Sequence, residues 1–129
     1  MKKIFFLFFL SLCSCTATTS KLENSITTQE LRKDAREKQF MYLDCVNEAS
    51  LKYAVSTDAA SEVALAAIGK CESKLNEVRK AYFLQVNSIG KKNTVDLDIQ
   101  LSEEAASKLK NRAYEAALSS IIEVRTKNK

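Results

Sequence analysis

The chain has 129 residues, room for one domain of ordinary size, and carries a net charge of +4 with no proline, no histidine and only two glycines. All-β folds and glycine-rich phosphate loops need proline or glycine, so both are close to excluded. The chain also lacks histidine, the commonest general base and the commonest metal ligand. With 46% apolar and 28% charged residues, the sequence is typical of a globular, water-exposed protein.

The start of the chain has the pattern of a secretory signal peptide. Lys2 and Lys3 precede residues 4–12, a segment that is apolar apart from Ser11. A membrane-spanning helix needs about 20 apolar residues, so this segment is too short to remain as a transmembrane anchor. We therefore predict that residues 1–14 direct export and are then removed.

The sequence Leu12-Cys13-Ser14-Cys15 follows the apolar segment. It resembles the lipobox of bacterial lipoproteins, which has leucine three positions before the modified cysteine and a small residue directly before it. Leu12 and Ser14 match those positions, whereas Cys13 departs from the usual small or hydroxyl residue between them. The resemblance implies that Cys15 becomes the first residue of a lipoprotein and carries a diacylglyceryl group and usually an amide-linked acyl chain such as palmitate. Two or more acyl chains make membrane attachment effectively stable.

Ordinary signal-peptide cleavage near Cys15-Thr16-Ala17 is the alternative, and it would give a soluble mature protein. Removal of the leader lowers the 20 basic residues to 18 against 16 acidic ones, a net charge of +2. That charge is too small to argue for a nucleic-acid partner. Residues 15–27 are polar and without periodicity, so we predict that they form the lipidated N-terminus and a flexible tether.

A single helical domain with three helices is predicted over residues 28–129. The first helix, about 28–55, begins with Thr28 as a candidate cap and carries apolar or small residues at spacings of three and four. These residues are Leu31, Ala35, Tyr42, Cys45, Val46, Ala49 and Tyr53. The pattern breaks at residues 56–58, where Thr57 or Asp58 is the candidate cap of the next helix.

The second helix is predicted over about 59–89. Its stripe consists of Ile68, Cys71, Leu75, Val78, Tyr82, Gln85 and Ile89. Gly90 is expected to end this helix in a left-handed conformation, and Gly69 to mark a close contact with a neighbouring helix.

The third helix is predicted over about 102–125 with Ser102 as its cap. Its stripe consists of Ala106, Leu109, Ala113, Ala117, Ile121 and Val124. Between the second and third helices, apolar residues at 95, 97, 99 and 101 alternate with polar ones, which is a strand pattern without a second strand to pair with. The segment is therefore either an extended crossover against the helices or an edge strand that pairs with another chain.

Cys45 and Cys71 are the two cysteines certain to remain after processing. A pair of cysteines in an oxidising compartment indicates a disulfide, the alternative being two unpaired thiols in a reduced protein. Facing residues of an antiparallel helical hairpin have their midpoint at the turn, and the midpoint of this pair is Asp58, at the predicted helix break. We therefore predict an all-α fold: a disulfide-stapled antiparallel helical hairpin plus a third helix, forming a small three-helix bundle.

The residue types predict no catalytic, cofactor or metal site, because serines and threonines have no histidine to activate them. Four large apolar residues lie off the predicted stripes and are candidates for a partner surface: Phe40, Met41, Phe83 and Leu84. The sequence thus predicts a non-catalytic lipoprotein of the bacterial cell envelope, facing the periplasm or the outside, that contacts another envelope protein or itself and no nucleic acid. The alternative is a soluble periplasmic or secreted inhibitor or small-molecule-binding protein.

Overall fold

The described part of the protein, residues 17–90 and 94–128 of a computed structural model, consists of four α-helices and no strand. The helices are α1 (Ala17–Tyr53), α2 (Ala60–Lys70), α3 (Glu72–Ile89) and α4 (Val95–Lys127). The predicted all-α class is confirmed for these residues. The predicted signal peptide and the lipidated Cys15 lie outside them. None of the described helices carries an apolar stretch long enough to span a bilayer.

Two covalent or ionic links show how α1 runs relative to its neighbours. Cys45 of α1 is bonded to Cys71, and Lys38 of α1 forms an ion pair of 3.4 Å with Glu77 of α3. The earlier residue of α1 thus contacts the later residue of the pair on the other side, so α1 and α3 are antiparallel.

Helix α4 packs against each of the other three helices. Its ion pairs with α3 are Arg79–Glu103 at 3.1 Å and Glu72–Lys110 at 3.3 Å. Going along α3 from Glu72 to Arg79, the partners on α4 go backwards from Lys110 to Glu103. Helix α4 is therefore antiparallel to α3.

The core forms where the predicted stripes meet. The buried stripe residues are Ala35, Tyr42, Val46, Ala49, Ile68, Cys71, Leu75, Val78, Ala106, Leu109, Ala113, Ala117 and Ile121. Burial of these side chains is the main favourable contribution to folding, because apolar surface leaves water. At the end of α3 the stripe opens to solvent, since Gln85 is half-buried and Ile89 is exposed.

The predicted second helix is interrupted at Cys71, which separates α2 from α3. Cys71 has φ −102° and ψ 11°, outside the helical region, and Gly69 lies two positions earlier. Glycine weakens a helix at this place and the disulfide ties Cys71 to α1, which accounts for the break. The expectation that Gly69 marks a close contact is wrong, because a β-carbon at Gly69 would meet open space.

Residues 95–101 are helical, so neither the extended crossover nor the edge strand is correct. Thr94 caps α4 by accepting a hydrogen bond from the backbone N–H of Leu97 at 3.4 Å. Asp96 and Asp98 lie in the first turn of α4, where their negative charges interact favourably with the positive end of the helix dipole. Ser102, the predicted cap, is buried inside α4, where its hydroxyl donates to the carbonyl of Ile99.

Three helix ends also differ from the prediction. Helix α1 begins at Ala17, so residues 17–27 are helical where a flexible tether is predicted, and no proline or glycine in that segment opposes a helix. Gly90 ends α3 with φ −90°, not in the left-handed region, while its N–H bonds the carbonyl of Val86. Helix α2 starts after Ala59 without a side-chain cap, so neither Thr57 nor Asp58 has the predicted capping role.

Candidate partner surface and clefts

The outer face of α1 carries the most exposed aromatic ring among the described side chains. Phe40 lies two positions before the fully buried Tyr42, roughly 200° around the helix, and therefore points away from the core. Its relative exposure is 78%. Together with Met41 and four charged residues, Phe40 lines a shallow open cleft. We call this the α1 outer surface; it consists of Lys33, Arg36, Glu37, Phe40, Met41 and Asp44.

The structure brings together two of the four predicted partner residues. Phe40 and Met41 are adjacent on the α1 outer surface, whereas Phe83 and Leu84 belong to α3 and do not line it. Leu84 is exposed and Phe83 is half-buried. The charged rim around Phe40 was missed by the sequence reasoning, although spacings of three and four from Phe40 place Glu37 and Asp44 beside it on a helix.

A second cleft, of about 450 Å³, lies at the turn between α1 and α2. Its lining mixes apolar and charged side chains: Lys52, Tyr53, Val55, Ser56, Asp58, Glu62, Val63 and Ala66. The sequence reasoning did not predict it, because the cleft is formed by a turn whose conformation depends on a contact with α4. That contact is made by Arg125, which donates to the backbone carbonyl of Ser56 at 2.7 Å.

The Cys45–Cys71 disulfide is present, as predicted. The two Cα atoms are 6.0 Å apart, within the range that the bond requires. Cys71 is fully buried, whereas Cys45 is half-buried and borders a small cleft of about 170 Å³. The two stripes therefore face each other at this level, and one sulfur lies at the edge of the core.

A network of charged side chains joins α3 to α4. Burial tends to raise the pKa of Glu72, but hydrogen bonds from Arg79 at 3.1 Å and Lys110 at 3.3 Å, with their positive charges, hold this pKa below its ordinary value. Arg79 also donates from Nε to Glu103 at 3.1 Å and from Nη1 to Asn76. Each partner is partly exposed, so the network favours one register of the two helices more than it adds stability.

Tyr42 is the one buried side chain in the described residues whose polar atom has no hydrogen-bond partner. Burial raises the pKa of its hydroxyl to about 12, and the charge of Glu72 adds to the rise while that of Arg79 opposes it. A buried donor without a partner costs free energy. Tyr42 is therefore a packing residue with an unfavourable hydroxyl.

Within residues 17–90 and 94–128, no group of three or more cysteine, aspartate or glutamate side chains is placed to hold a metal ion. Searches against protein-family models, curated proteins and solved structures found no match. The function of the chain is therefore inferred from the residues and surfaces described above.

Proposed function

We propose that this chain is an exported, lipid-anchored envelope protein that acts without catalysis, through contacts with other protein surfaces. The observation that carries the proposal is the Cys45–Cys71 disulfide, because such bonds form and persist outside the reducing cytoplasm. The leader pattern of residues 1–14 and the resemblance of residues 12–15 to a lipobox support the same location.

The anchor is tested by metabolic labelling of intact bacteria with a fatty-acid analogue. We expect the wild-type chain to incorporate the label and Cys15→Ser to lose it. Cys13→Ser is the matched control, because it removes the neighbouring thiol and should keep the label. A Cys15→Ser chain that stays labelled would rule out this attachment site.

The α1 outer surface supports the second half of the proposal. Binding energy at protein interfaces concentrates in a few large side chains surrounded by polar residues that exclude water. Phe40 has this environment, with Lys33 and Arg36 as basic neighbours and Glu37 and Asp44 as acidic ones. An exposed ring at the centre of such a rim is suited to insertion into a pocket on another protein.

Crosslinking in intact cells followed by purification under denaturing conditions tests this surface. Phe40→Asp should abolish the crosslinked complexes, because a carboxylate replaces the apolar anchor. The matched control is Leu65→Asp, since Leu65 is also a well exposed apolar residue (60%) but belongs to α2 and does not line the surface. Equal loss in both variants, with both still helical by circular dichroism, would contradict the assignment.

The cleft at the α1–α2 turn favours the alternative, a soluble exported protein that binds a small molecule. Its volume of about 450 Å³ is within the usual range of ligand sites. Cell fractionation separates the two proposals, because the alternative requires the protein in the soluble periplasmic or external fraction. Ala66→Trp, which would fill the cleft, should then abolish any stabilisation by small-molecule extracts.

We further propose that α2 and α3 act as one helix broken at Cys71, so that the fold is a disulfide-stapled hairpin with α4 as its third helix. The reversed order of the ion pairs supports this arrangement. Spin labels at Glu30 and Asn87 should then be close together, whereas labels at Glu48 and Asn87 should be more than about 25 Å apart, from the rise per residue of a helix. Similar distances for both pairs would contradict it.

A further inference from the structure

The two sulfur atoms of the disulfide differ in their access from solvent. Cys71 is fully buried among core residues, whereas the half-buried Cys45 borders a cleft of about 170 Å³. A thiolate that exchanges with a disulfide must approach one sulfur directly. Cys45 is therefore the cysteine that an incoming thiolate meets at the cleft, whereas Cys71 lies within the packed core.

The cleft beside Cys45 is positively charged. Its lining is Cys45, Glu48, Ala49, Lys52, Tyr53 and Lys70. Lys52 follows Cys45 by seven positions on the same face of α1, and Lys70 directly precedes Cys71. Neither ammonium group forms an ion pair within the described part of the chain. Two lysines against one glutamate attract an anionic nucleophile more strongly than a cationic one.

We infer that Cys45 is a site of mixed-disulfide formation with small anionic thiols. The thiolate sulfur of the incoming molecule bonds to Cys45 Sγ, the Cys45–Cys71 bond breaks, and its electron pair leaves on Cys71 Sγ. The Cys71 thiolate then takes a proton from water. One thiol and the internal disulfide thus give one mixed disulfide and one free thiol, and no other oxidant or reductant is needed.

Charge and access favour different sulfurs as the point of attack. The two lysines would also stabilise a thiolate leaving from Cys45, which by itself favours attack on Cys71. Access outweighs this effect, because entry to the fully buried Cys71 requires opening of the core, whereas Cys45 already borders the cleft. The same lysines then act on the incoming thiol and select its charge.

The test treats the purified, oxidised chain with glutathione, an anionic thiol, and separately with cysteamine, a cationic one. Acid quenching at early times and mass mapping of peptides locate the adduct. We expect the adduct on Cys45 with a free thiol on Cys71, and a faster reaction with glutathione once each rate is corrected for the thiolate fraction of the reagent. An adduct on Cys71, or no adduct at all with either thiol, would overturn the inference.

Charge-reversal variants test the role of the lysines. In Lys52→Glu/Lys70→Glu, the preference for glutathione over cysteamine should fall by about fivefold or more, because two nearby charges change sign. The matched control is Arg32→Glu/Lys80→Glu, which makes the same change in net charge at exposed basic residues that do not line this cleft. An equal fall in both variants would show that overall charge, and not the cleft, selects the thiol.

Discussion

Arg125 and Ala54 are joined by a hydrogen bond of 2.9 Å from the guanidinium Nε to the backbone carbonyl, although 71 residues separate them. The two remaining guanidinium nitrogens donate to the carbonyls of Asp58 at 2.9 Å and Ser56 at 2.7 Å. One side chain near the end of α4 thus holds the turn between α1 and α2 by its backbone. A planar group with donors in fixed directions suits three carbonyls that face different ways.

We expect Arg125→Ala to lower the free energy of unfolding by about 2 kcal/mol, because partly buried carbonyls lose a charged donor. Arg125→Lys should recover less than half of this loss, since one ammonium group cannot satisfy three separated carbonyls. Urea unfolding measures both, with Arg112→Lys as the control at an exposed arginine of the same helix. Full recovery by lysine would show that charge alone, and not the donor geometry, holds the turn.

Reduction of the Cys45–Cys71 bond should lower the free energy of unfolding by about 3.5 kcal/mol, the value that the chain-entropy model gives for a separation of 26 residues. The measurement compares urea unfolding of the oxidised protein with that of the protein in a phosphine reductant. Non-reducing mass analysis of purified material must first show the bond. Free thiols at both cysteines would contradict the disulfide and remove the main support for export.

Tyr42→Phe should leave the free energy of unfolding at pH 7 unchanged or raise it by about 1 kcal/mol, because it removes a buried hydroxyl without a partner. The folded-state pKa of about 12 exceeds the ordinary value of 10.0, so the folded protein retains this proton where the unfolded chain loses it. Titration of Tyr42 therefore leaves the wild-type free energy of unfolding unchanged below pH 10 and lowers it as pH rises toward 12. The variant should lack this part of the alkaline loss in unfolding curves measured from pH 8 to pH 12. A clear destabilisation at pH 7 would mean that the hydroxyl is bonded.

Glu72→Gln should cost less than about 1 kcal/mol at pH 7, because its ion pairs are partly exposed and screened. The pKa of Glu72 in the folded protein is below its value of 4.5 in the unfolded chain. Its stabilising contribution is therefore present above pH 4.5 and is lost as pH falls through the lower, folded-state pKa. The variant should show a smaller acid-side loss than wild type in thermal unfolding from pH 7 to pH 2, and exposed Glu115→Gln is the control. An identical acid profile for both variants would contradict the role of the network.

Gly69→Ala should raise the free energy of unfolding by about 0.5–1 kcal/mol, since alanine loses less backbone entropy in a helix and its β-carbon meets open space here. The reciprocal change Ala66→Gly, at an exposed position of the same helix, should lower it by a similar amount. Chemical unfolding of the two variants against wild type gives both values. Destabilisation by Gly69→Ala would contradict the open space found for a β-carbon at this position.

The sequence was most informative where a periodic constraint acts over many residues. The stripe through Tyr42 and Val46 and the stripe through Leu75 and Val78 follow the helical repeat, and burial confirms both. The pairing of the cysteines was predictable for a related reason: their midpoint coincides with the only interruption between the two stripes, so antiparallel packing brings them together.

Local patterns were less reliable where two structures compete for the same residues. The alternation of Val95, Leu97 and Ile99 predicts a strand, but an isolated strand has no partner, whereas a helix satisfies its own backbone and continues directly into the rest of α4. Contacts without periodicity left no signal at all. The carbonyls bound by Arg125 are brought to it by tertiary placement, which a single sequence does not encode in its spacing.

Helix α1 runs without interruption over 37 residues, a rod about 55 Å long. Its backbone hydrogen bonds resist twisting, so the direction of each described side chain along it is set once any one position is held. Insertion or deletion of a single residue ahead of Lys33 within α1 would rotate the ring of Phe40 by about 100° relative to the first turn of the helix. The direction of that ring relative to the N-terminal end of α1 thus depends on the number of residues between them, whereas the packing of Tyr42 sets its direction relative to the core.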